Sequence, residues 1–427
     1  MSILMAVSFL FLLIIGVPIY IALLLASFIG FLYLGDYSLF QIMVQQFFGG
    51  MDIFTLLAIP LFIMTGNLMN RAGITDKLLS FSKALVGHLK GGLGHVNIVA
   101  SIIFAGVNGS AAADTSAIGS ILIPAMAKEG YDRSYAAGIT AGSSLIGPII
   151  PPSIFMVIYG SMTNQSIGGL FVAGIIPGLI LGGAFMLMNA YYANKYNFPV
   201  SNERAGLRKI LKVSQQSIIG LIAPLIIIGG IIFGVVTPTE AGAVAIFYST
   251  VIGFFITRKL TIYSFITAIN ETVRNTTVVF VIMGSAAVFS WLLKWEQVPQ
   301  RFAGAMVSLT DNQTVLLIIL SAMIFVIGMF MEEIAALILL TPVIAPVAIY
   351  AGIDPLHFGI VMTLNITIAL ITPPMGACVY IVSAVGKVKL ETLFRNIWPF
   401  VVVAIIVLLM IILFPPLVTT LPRLFNL

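Results

Sequence analysis

The stretch "GPIIPPS", residues 147–153, lies inside an apolar run that would otherwise be long enough to cross a bilayer. A second stretch, "ALITPPMG", residues 369–376, puts Pro373 and Pro374 inside another such run, 222 residues after Pro151 and Pro152. Proline lacks a backbone N–H and its ring collides with the preceding turn, so each pair breaks its helix. Two apolar helices broken in the same way, at one fixed separation, need a common cause.

The surrounding composition sets the solvent. The chain has 427 residues, of which 60% are hydrophobic and 8% charged. Soluble domains carry about 25% charged residues, so this is an all-α polytopic membrane protein. Continuous apolar runs predict spans near 3–34, 53–69, 170–192, 217–236, 238–257, 276–293 and 397–414. The run 3–34 is too long for a signal-peptide core and has no basic segment before it, so it is expected to remain as the first span. The single cysteine, Cys378, excludes an intrachain disulfide framework and reads as a small packing residue. The net charge of +5 reflects Lys and Arg in cytoplasmic loops and does not point to nucleic acid.

Four further apolar segments are too short to span about 30 Å at 1.5 Å per residue. Residues 94–106 and 113–127 flank "GVNGSAAAD", and residues 313–328 and 334–350 flank "MFMEEIAA". Each pair predicts a re-entrant hairpin, over 94–127 and 313–350. The proline pairs then sit in two broken helices, 135–161 and 357–385.

Shifting residues 100–180 forward by 222 aligns the two halves without a gap. Pro124, Pro151, Pro152 and Pro177 fall on Pro346, Pro373, Pro374 and Pro399, and Asp132 falls on Asp354. Four of the five prolines in the window match, which marks an internal repeat. With the N-terminus inside, 17 of the 20 Lys and Arg residues fall in cytoplasmic loops, and only Lys294, Arg301 and Arg423 lie outside. The opposite orientation violates the positive-inside rule. On this count the repeats are inverted. The expected organisation is a first repeat over 1–192, a basic cytoplasmic loop and linker helix over 193–236, and a second repeat over 237–427. Inverted repeats with discontinuous helices are an architecture of secondary transporters. Segments 39–50 and 261–275 read as interfacial helices that brace a scaffold.

The breaks can do chemistry. Freed carbonyls cannot face lipid, because each unsatisfied group costs several kcal/mol. They can face a cation. One site would combine Asn108, Gly109 and Ser110 with the break from Gly147 to Ser153. A second would combine Gly328 to Glu333 with Ala369 to Pro374, including the hydroxyl of Thr372. The alternative is a pair of kinked helices whose Ser and Thr residues satisfy their own backbone; the shared repeat spacing favours ion sites. Intramembrane charge is confined to Asp114, Glu332 and Glu333. Asp114 could cap the second hairpin helix or serve packing. Glu332 aligns with Ser110 and should project toward the shared centre, whereas Glu333 points elsewhere. Glu240 should start a helix after "TPT". His88, His95 and His357 fall at hairpin bases as interfacial residues. The sequence holds no HExxH, Walker A or nucleophile-elbow motif, so no enzyme is expected. The loop 193–216, with Lys195, Arg204, Arg208, Lys209 and Lys212 against Glu203, reads as a plain basic loop, with docking of a partner or of anionic membrane lipid as the other option.

"NGSAAADTSAIGSILIPAM" at 108–126, "GPIIPPS" at 147–153 and "ITPPMG" at 371–376 closely resemble the large membrane subunit of TRAP (tripartite ATP-independent periplasmic) transporters. The resemblance spans essentially the whole chain. It implies an elevator-type, Na⁺-driven importer in the bacterial inner membrane. It also implies two partners: a small four-helix membrane subunit and a soluble periplasmic substrate-binding protein. Carried over by position, it implies substrate contacts at Ser110, Ser153 and Glu332. It implies one Na⁺ near Asn108, Gly147 and Ile150 and another near Glu332, Ala369 and Thr372, bound largely by backbone carbonyls. The substrates it implies are organic acids. A carboxylate at Glu332 would repel a second substrate carboxylate by a few kcal/mol at an effective dielectric near 20. That favours a hydroxyl-rich monoanion such as sialic acid over a C4-dicarboxylate.

Overall fold

We describe a computed structural model of residues 1–36, 39–200 and 206–427, without the side chains of residues 107, 108, 207–210, 212 and 216. All regular structure among the described residues is helical. Among the described residues, five helices are long and apolar enough to cross a membrane, and a bent pair makes a sixth.

The run 3–34 is two helices. α1 (Ser2–Ile14) and α2 (Ile19–Leu34) are separated by Gly16, at φ +84°, and Pro18. They fold back on each other, so that a Cβ on Gly30 would lie 2.8 Å from the Met5 sulfur. The Ser2 N–H donates to Glu296 at 2.8 Å, and the Met1 amino group lies 3.1 Å from the same carboxylate. The Ser2 side chain and N–H, with the amino group, hold the Glu296 carboxyl below its ordinary value. At the other end of the run, Phe31 stacks on Trp291. Both ends of 3–34 therefore lie at one end of the molecule. This corrects the expected single crossing: Met1 sits beside Glu296, on the side that the charge count assigns to the exterior. The turn at Gly16 and Pro18 is the physical reason.

α3 (Phe40–Gly49) and α4 (Ala58–Arg71, after a 3₁₀ turn at Phe54–Leu57) meet at a 51° bend. α5 (Ile74–Val86) follows Gly73, at φ +70°. α6 (Gly92–Asn108) and α7 (Ala111–Lys128) form the first hairpin. α8 (Arg133–Ser144) and α9 (Ile154–Thr163) are the two parts of the first broken helix. α10 (Ile167–Lys195) and α11 (Leu207–Ile232) complete the first half. Glu203 and Arg204 of the expected basic loop lie outside the described residues, as do the side chains of Arg208, Lys209 and Lys212.

α12 (Pro238–Val251) opens on a capping box in which Thr237 and Glu240 satisfy each other's backbone N–H groups. A π turn over Ile252–Ile256 extends it. α13 (Ile262–Trp295) runs 34 residues. Segment 261–275 is thus the start of a long helix and not a separate interfacial one. A Thr261–Ser264 capping box starts it, and no proline interrupts it. The equivalent place in the first half carries Gly49 and Gly50 and breaks. α14 (Val298–Leu309) leads to the second hairpin, α15 (Gln313–Gly328) and α16 (Glu333–Tyr350). The second broken helix is α17 (Pro355–Ala369) and α18 (Ala377–Gly386), followed by α19 (Leu390–Leu413) and α20 (Pro416–Leu424).

The repeat is visible in the elements. Adding 222 to the limits of α7 gives the limits of α16. Asp132 and Asp354 each cap the first part of a broken helix by accepting backbone N–H groups. The broken helix of each half ends near the hairpin base of the other. The Tyr159 hydroxyl donates to the Pro355 carbonyl at 2.9 Å, and a Cβ on Gly386 would meet Ile123 and Ala137. His95 and His357 are buried, not exposed at an interface, and His357 Nε2 lies 3.0 Å from the Ile411 carbonyl.

The helical turn at Gly16 yields a test. In a Cys378→Ala background, single cysteines at Ser2 and Lys294 should react with a membrane-impermeant thiol reagent from the same face. A cysteine at Tyr263, at the opposite end of α13, should react from the other. Labelling of Ser2 together with Tyr263 would restore the single crossing.

Candidate functional site

Each hairpin tip meets a helix break, and the reason is local. At the first tip Gly109 adopts φ +57°, the left-handed region open to glycine. A Cβ there would lie 2.2 Å from the Pro152 carbonyl oxygen, so the tip backbone rests directly on the break. Ser110 then caps α7 by accepting from the Ala113 N–H at 3.5 Å. On the far side of the break, a Cβ on Gly147 would meet the Ser110 backbone at 3.5 Å. The second half repeats the motif with other atoms. The Met375 N–H donates to the Met329 carbonyl at 3.2 Å, and Glu332 caps α16 by accepting from the Ala335 N–H at 2.8 Å. Both proline pairs carry cis peptide bonds.

The two breaks differ in what they leave open. In the first, the N–H groups of Gly147 and Ile150 donate to Ser144 and Ile146. Among the described residues, no main-chain N–H outside the helices donates to the carbonyls of residues 147–152. Gly147 and Ile150 therefore keep their carbonyl oxygens for another partner. In the second break, Thr372 N–H donates to Ala369, Gly376 N–H to Thr372, and Cys378 N–H to Leu370. The Thr372 hydroxyl donates to Ile368 at 2.8 Å. Each carbonyl has two lone pairs, so Ala369 and Thr372 retain one apiece.

Ser110 and Glu332 line one cavity of about 280 Å³, from opposite hairpins. This lies near the lower end of the range for ligand pockets, about 300–1,000 Å³. Ser153 does not line it. That residue is fully buried behind the wall, caps α9 through the Met156 N–H at 3.3 Å, and presents its neighbour Ile154 to the cavity. The side chain of Asn108 lies outside the described residues. The opposite wall comes from α4 and α13 through Ile63, Asn67, Asn275 and Val279. Sequence reasoning missed this wall. Its signal was Asn67, a lone amide in an otherwise apolar run, which donates to Thr272 at 3.2 Å.

Asp114 does not cap α7, because Ser110 does. It is buried in the first turn, 1% exposed, beside the Ser101 hydroxyl but with no hydrogen bond inside 3.5 Å among the described residues. Glu333 is buried, and Cys378 is fully buried and free.

A cavity between two hairpin tips, with four polar side chains (Asn67, Ser110, Asn275 and Glu332) on otherwise apolar walls and a broken helix behind each tip, is the arrangement of a membrane transporter with discontinuous helices. Residues 6–417 match the family described as "Tripartite ATP-independent periplasmic transporter, DctM component", and the chain belongs to that family. It is 42% identical to the sialic acid TRAP transporter large permease protein SiaM of Vibrio cholerae, over 96% of each chain. It is 38% identical to the sialic acid TRAP transporter permease protein SiaT of Haemophilus influenzae, over 96% of this chain and 66% of that longer one. Relatives at 37% and 36% identity are named for 2,3-diketo-L-gulonate and for C4-dicarboxylates. The fold is that of the Alcanivorax borkumensis YdaH transporter, with a TM-score of 0.65 at 14% identity, over 88% of this chain and 87% of that one.

The contact at Gly109 is directly testable. Gly109→Ala combines a positive φ with a clash against main chain and should destabilise the protein by about 1–3 kcal/mol. Gly183 has nothing within 4 Å of an added Cβ, so Gly183→Ala should leave thermal unfolding in detergent near that of the parent. Equal unfolding temperatures for the two variants would remove Gly109 from the tip contact.

Proposed function

We propose that this chain is the large membrane subunit of a Na⁺-coupled importer of an organic acid, in the inner membrane of a bacterium. The family supports the class. The observation that carries the mechanism is the shared cavity between Ser110 and Glu332, beside a break whose carbonyls have no main-chain donor. In this reading the halves are inverted repeats. Hairpins and broken helices move together as an elevator against a scaffold that includes α4 and α13.

Sodium enters through charge. Asp114 is a buried carboxylate one turn beyond the first tip, with the Ser101 hydroxyl beside it and no basic side chain within ion-pair distance among the described residues. An ionised carboxylate in that position costs several kcal/mol unless a cation neutralises it. One Na⁺ sits near the first tip, at Asn108, Gly147 and Ile150, and a second near Glu332, Ala369 and Thr372. The partners are a small four-helix membrane subunit and a soluble periplasmic binding protein that delivers the substrate. The relatives named for SiaT and for an isethionate permease are longer than this chain, which covers 66% and 62% of them. That extra length fits a fused small subunit.

The substrate we favour is sialic acid. Glu332 commits one oxygen to its helix cap, and its charge disfavours a second carboxylate on the substrate. The relationship to SiaM agrees. A C4-dicarboxylate importer is the second reading, which relatives of that name keep in view.

Two measurements test these readings. Radiolabelled sialic acid uptake into proteoliposomes holding this chain and its small partner should require both an inward Na⁺ gradient and the binding protein. Uptake that needs Na⁺ but no binding protein would make the chain a self-sufficient symporter, and succinate uptake in place of sialic acid would discard the argument from Glu332. Glu332→Gln keeps an oxygen for the cap and should lower sialic acid uptake at least about tenfold, a loss of about 1.4 kcal/mol. Asp114→Asn should remove the dependence on Na⁺, and an unchanged Na⁺ response would clear Asp114 of that role.

A further inference from the structure

A second cavity, of about 550 Å³, opens at the base of the first hairpin. Its walls are the turn before α8, the end of α10 and the first turns of α19. The floor is apolar, with Phe198, Pro399 and Phe400, and the rim is polar, with Tyr192, Asn197 and Arg395. Arg395 is exposed, and among the described residues it has no carboxylate within ion-pair distance. Lys195 lies 5.6 Å from the centre of the Tyr196 ring, and the Lys90 ammonium donates to Asn197 at 3.2 Å. The one acidic residue in the wall, Asp132, spends an oxygen on the Tyr135 N–H at 3.0 Å. Arg395 thus lines the cavity directly, and Lys195 and Lys90 contact two other lining residues, Tyr196 and Asn197.

Duplication alone does not account for this space. Gly130, Asp132 and Tyr135 correspond, at the shift of 222, to Gly352, Asp354 and His357, which line a cavity at the base of the second hairpin. That counterpart measures about 190 Å³. The same place in the fold is therefore enlarged, and lined with tyrosines, only at the end rich in Lys and Arg. Trp398 and Tyr191 are exposed on α19 and α10 close to the opening. Trp and Tyr gather where hydrocarbon meets headgroups. A polar, cationic rim over an apolar floor at that level matches one kind of ligand.

We infer that this cavity seats the phosphate of an anionic phospholipid, with Arg395 as its principal contact and the glycerol and first methylenes against Phe400 and Pro399. The phosphate chemistry alone would also admit a soluble phosphate. The apolar floor and the flanking Trp398 and Tyr191 favour the lipid. Anionic lipids of the cytoplasmic leaflet attract basic side chains by about fivefold in affinity per charge.

The test uses the full chain in detergent and reads bound ligand by native mass spectrometry, so it stands apart from any transport activity. The probes are phosphatidylglycerol, phosphatidylcholine with the same acyl chains, and inorganic phosphate. Phosphatidylglycerol should be retained over phosphatidylcholine, and Arg395→Gln should cut that retention about fivefold. Thr392→Trp, which fills the cavity from an exposed lining position, should also abolish it. Arg301→Gln, a control at the opposite end, should bind as the parent does, and thermal unfolding of each variant checks that it is folded. Equal retention of the two lipids, or no effect of Arg395→Gln in a folded protein, would reduce the site to ordinary annular contact and overturn the inference. Stabilisation by inorganic phosphate without preference for phosphatidylglycerol would overturn the lipid assignment and leave a soluble anion site.

Discussion

A helix broken inside a low-dielectric interior exposes main-chain groups that neither lipid nor apolar side chains can satisfy. Everything near the centre of this protein follows from that constraint. The broken helices cannot stand alone, so each break is held against a hairpin tip. At the first tip the contact is so close that only glycine fits, and at the second it is a main-chain hydrogen bond between Met375 and Met329. The tips in turn need capping, which Ser110 and Glu332 provide. Capping fixes where those two side chains stand, and that placement makes the cavity.

The halves are related but not equivalent. The first break leaves its carbonyls open, whereas in the second Ala369, Leu370 and Thr372 accept from the N–H groups of Thr372, Cys378 and Gly376. A bent pair, α3 and α4, faces one continuous 34-residue helix, α13. Duplication supplied a frame with two similar breaks. Divergence then gave one break free oxygens and the other a carboxylate at its tip. Such asymmetry suits a protein that must bind unlike ligands at related places.

Much of the architecture was legible in the sequence because prolines and glycines punctuate it. The helices expected for both hairpins and both broken segments start and stop within a few residues of the expected places, and the limits of α16 lie 222 residues beyond those of α7. Four things escaped, each for a physical reason. Apolar content alone cannot distinguish one long span from two short helices, so 3–34 read as a single crossing; Gly16 and Pro18 were the overlooked signal. Propensity ends at segment borders, so 261–275 and 276–293 looked separate, although one capping box starts both. The wall contributed by Asn67 and Asn275 is a matter of tertiary packing across 200 residues: the lone amide of Asn67 marks one half of it, and nothing local pairs that residue with Asn275. Ser153 and Ser110 look alike in sequence, yet one is sealed behind Ile154 and the other faces open space.

One ion pair adds a consequence. Arg71 and Glu271 lie 2.6 Å apart, joining α4 to α13. Each stands four residues from an amide that lines the cavity, Asn67 on one helix and Asn275 on the other, a rise of about 6 Å along a helix. The scaffold wall therefore ends in two charges that cancel. In the proposed transport cycle, a substrate anion passing that end would meet this guanidinium already held by a carboxylate, and not as a bare charge that would retain it.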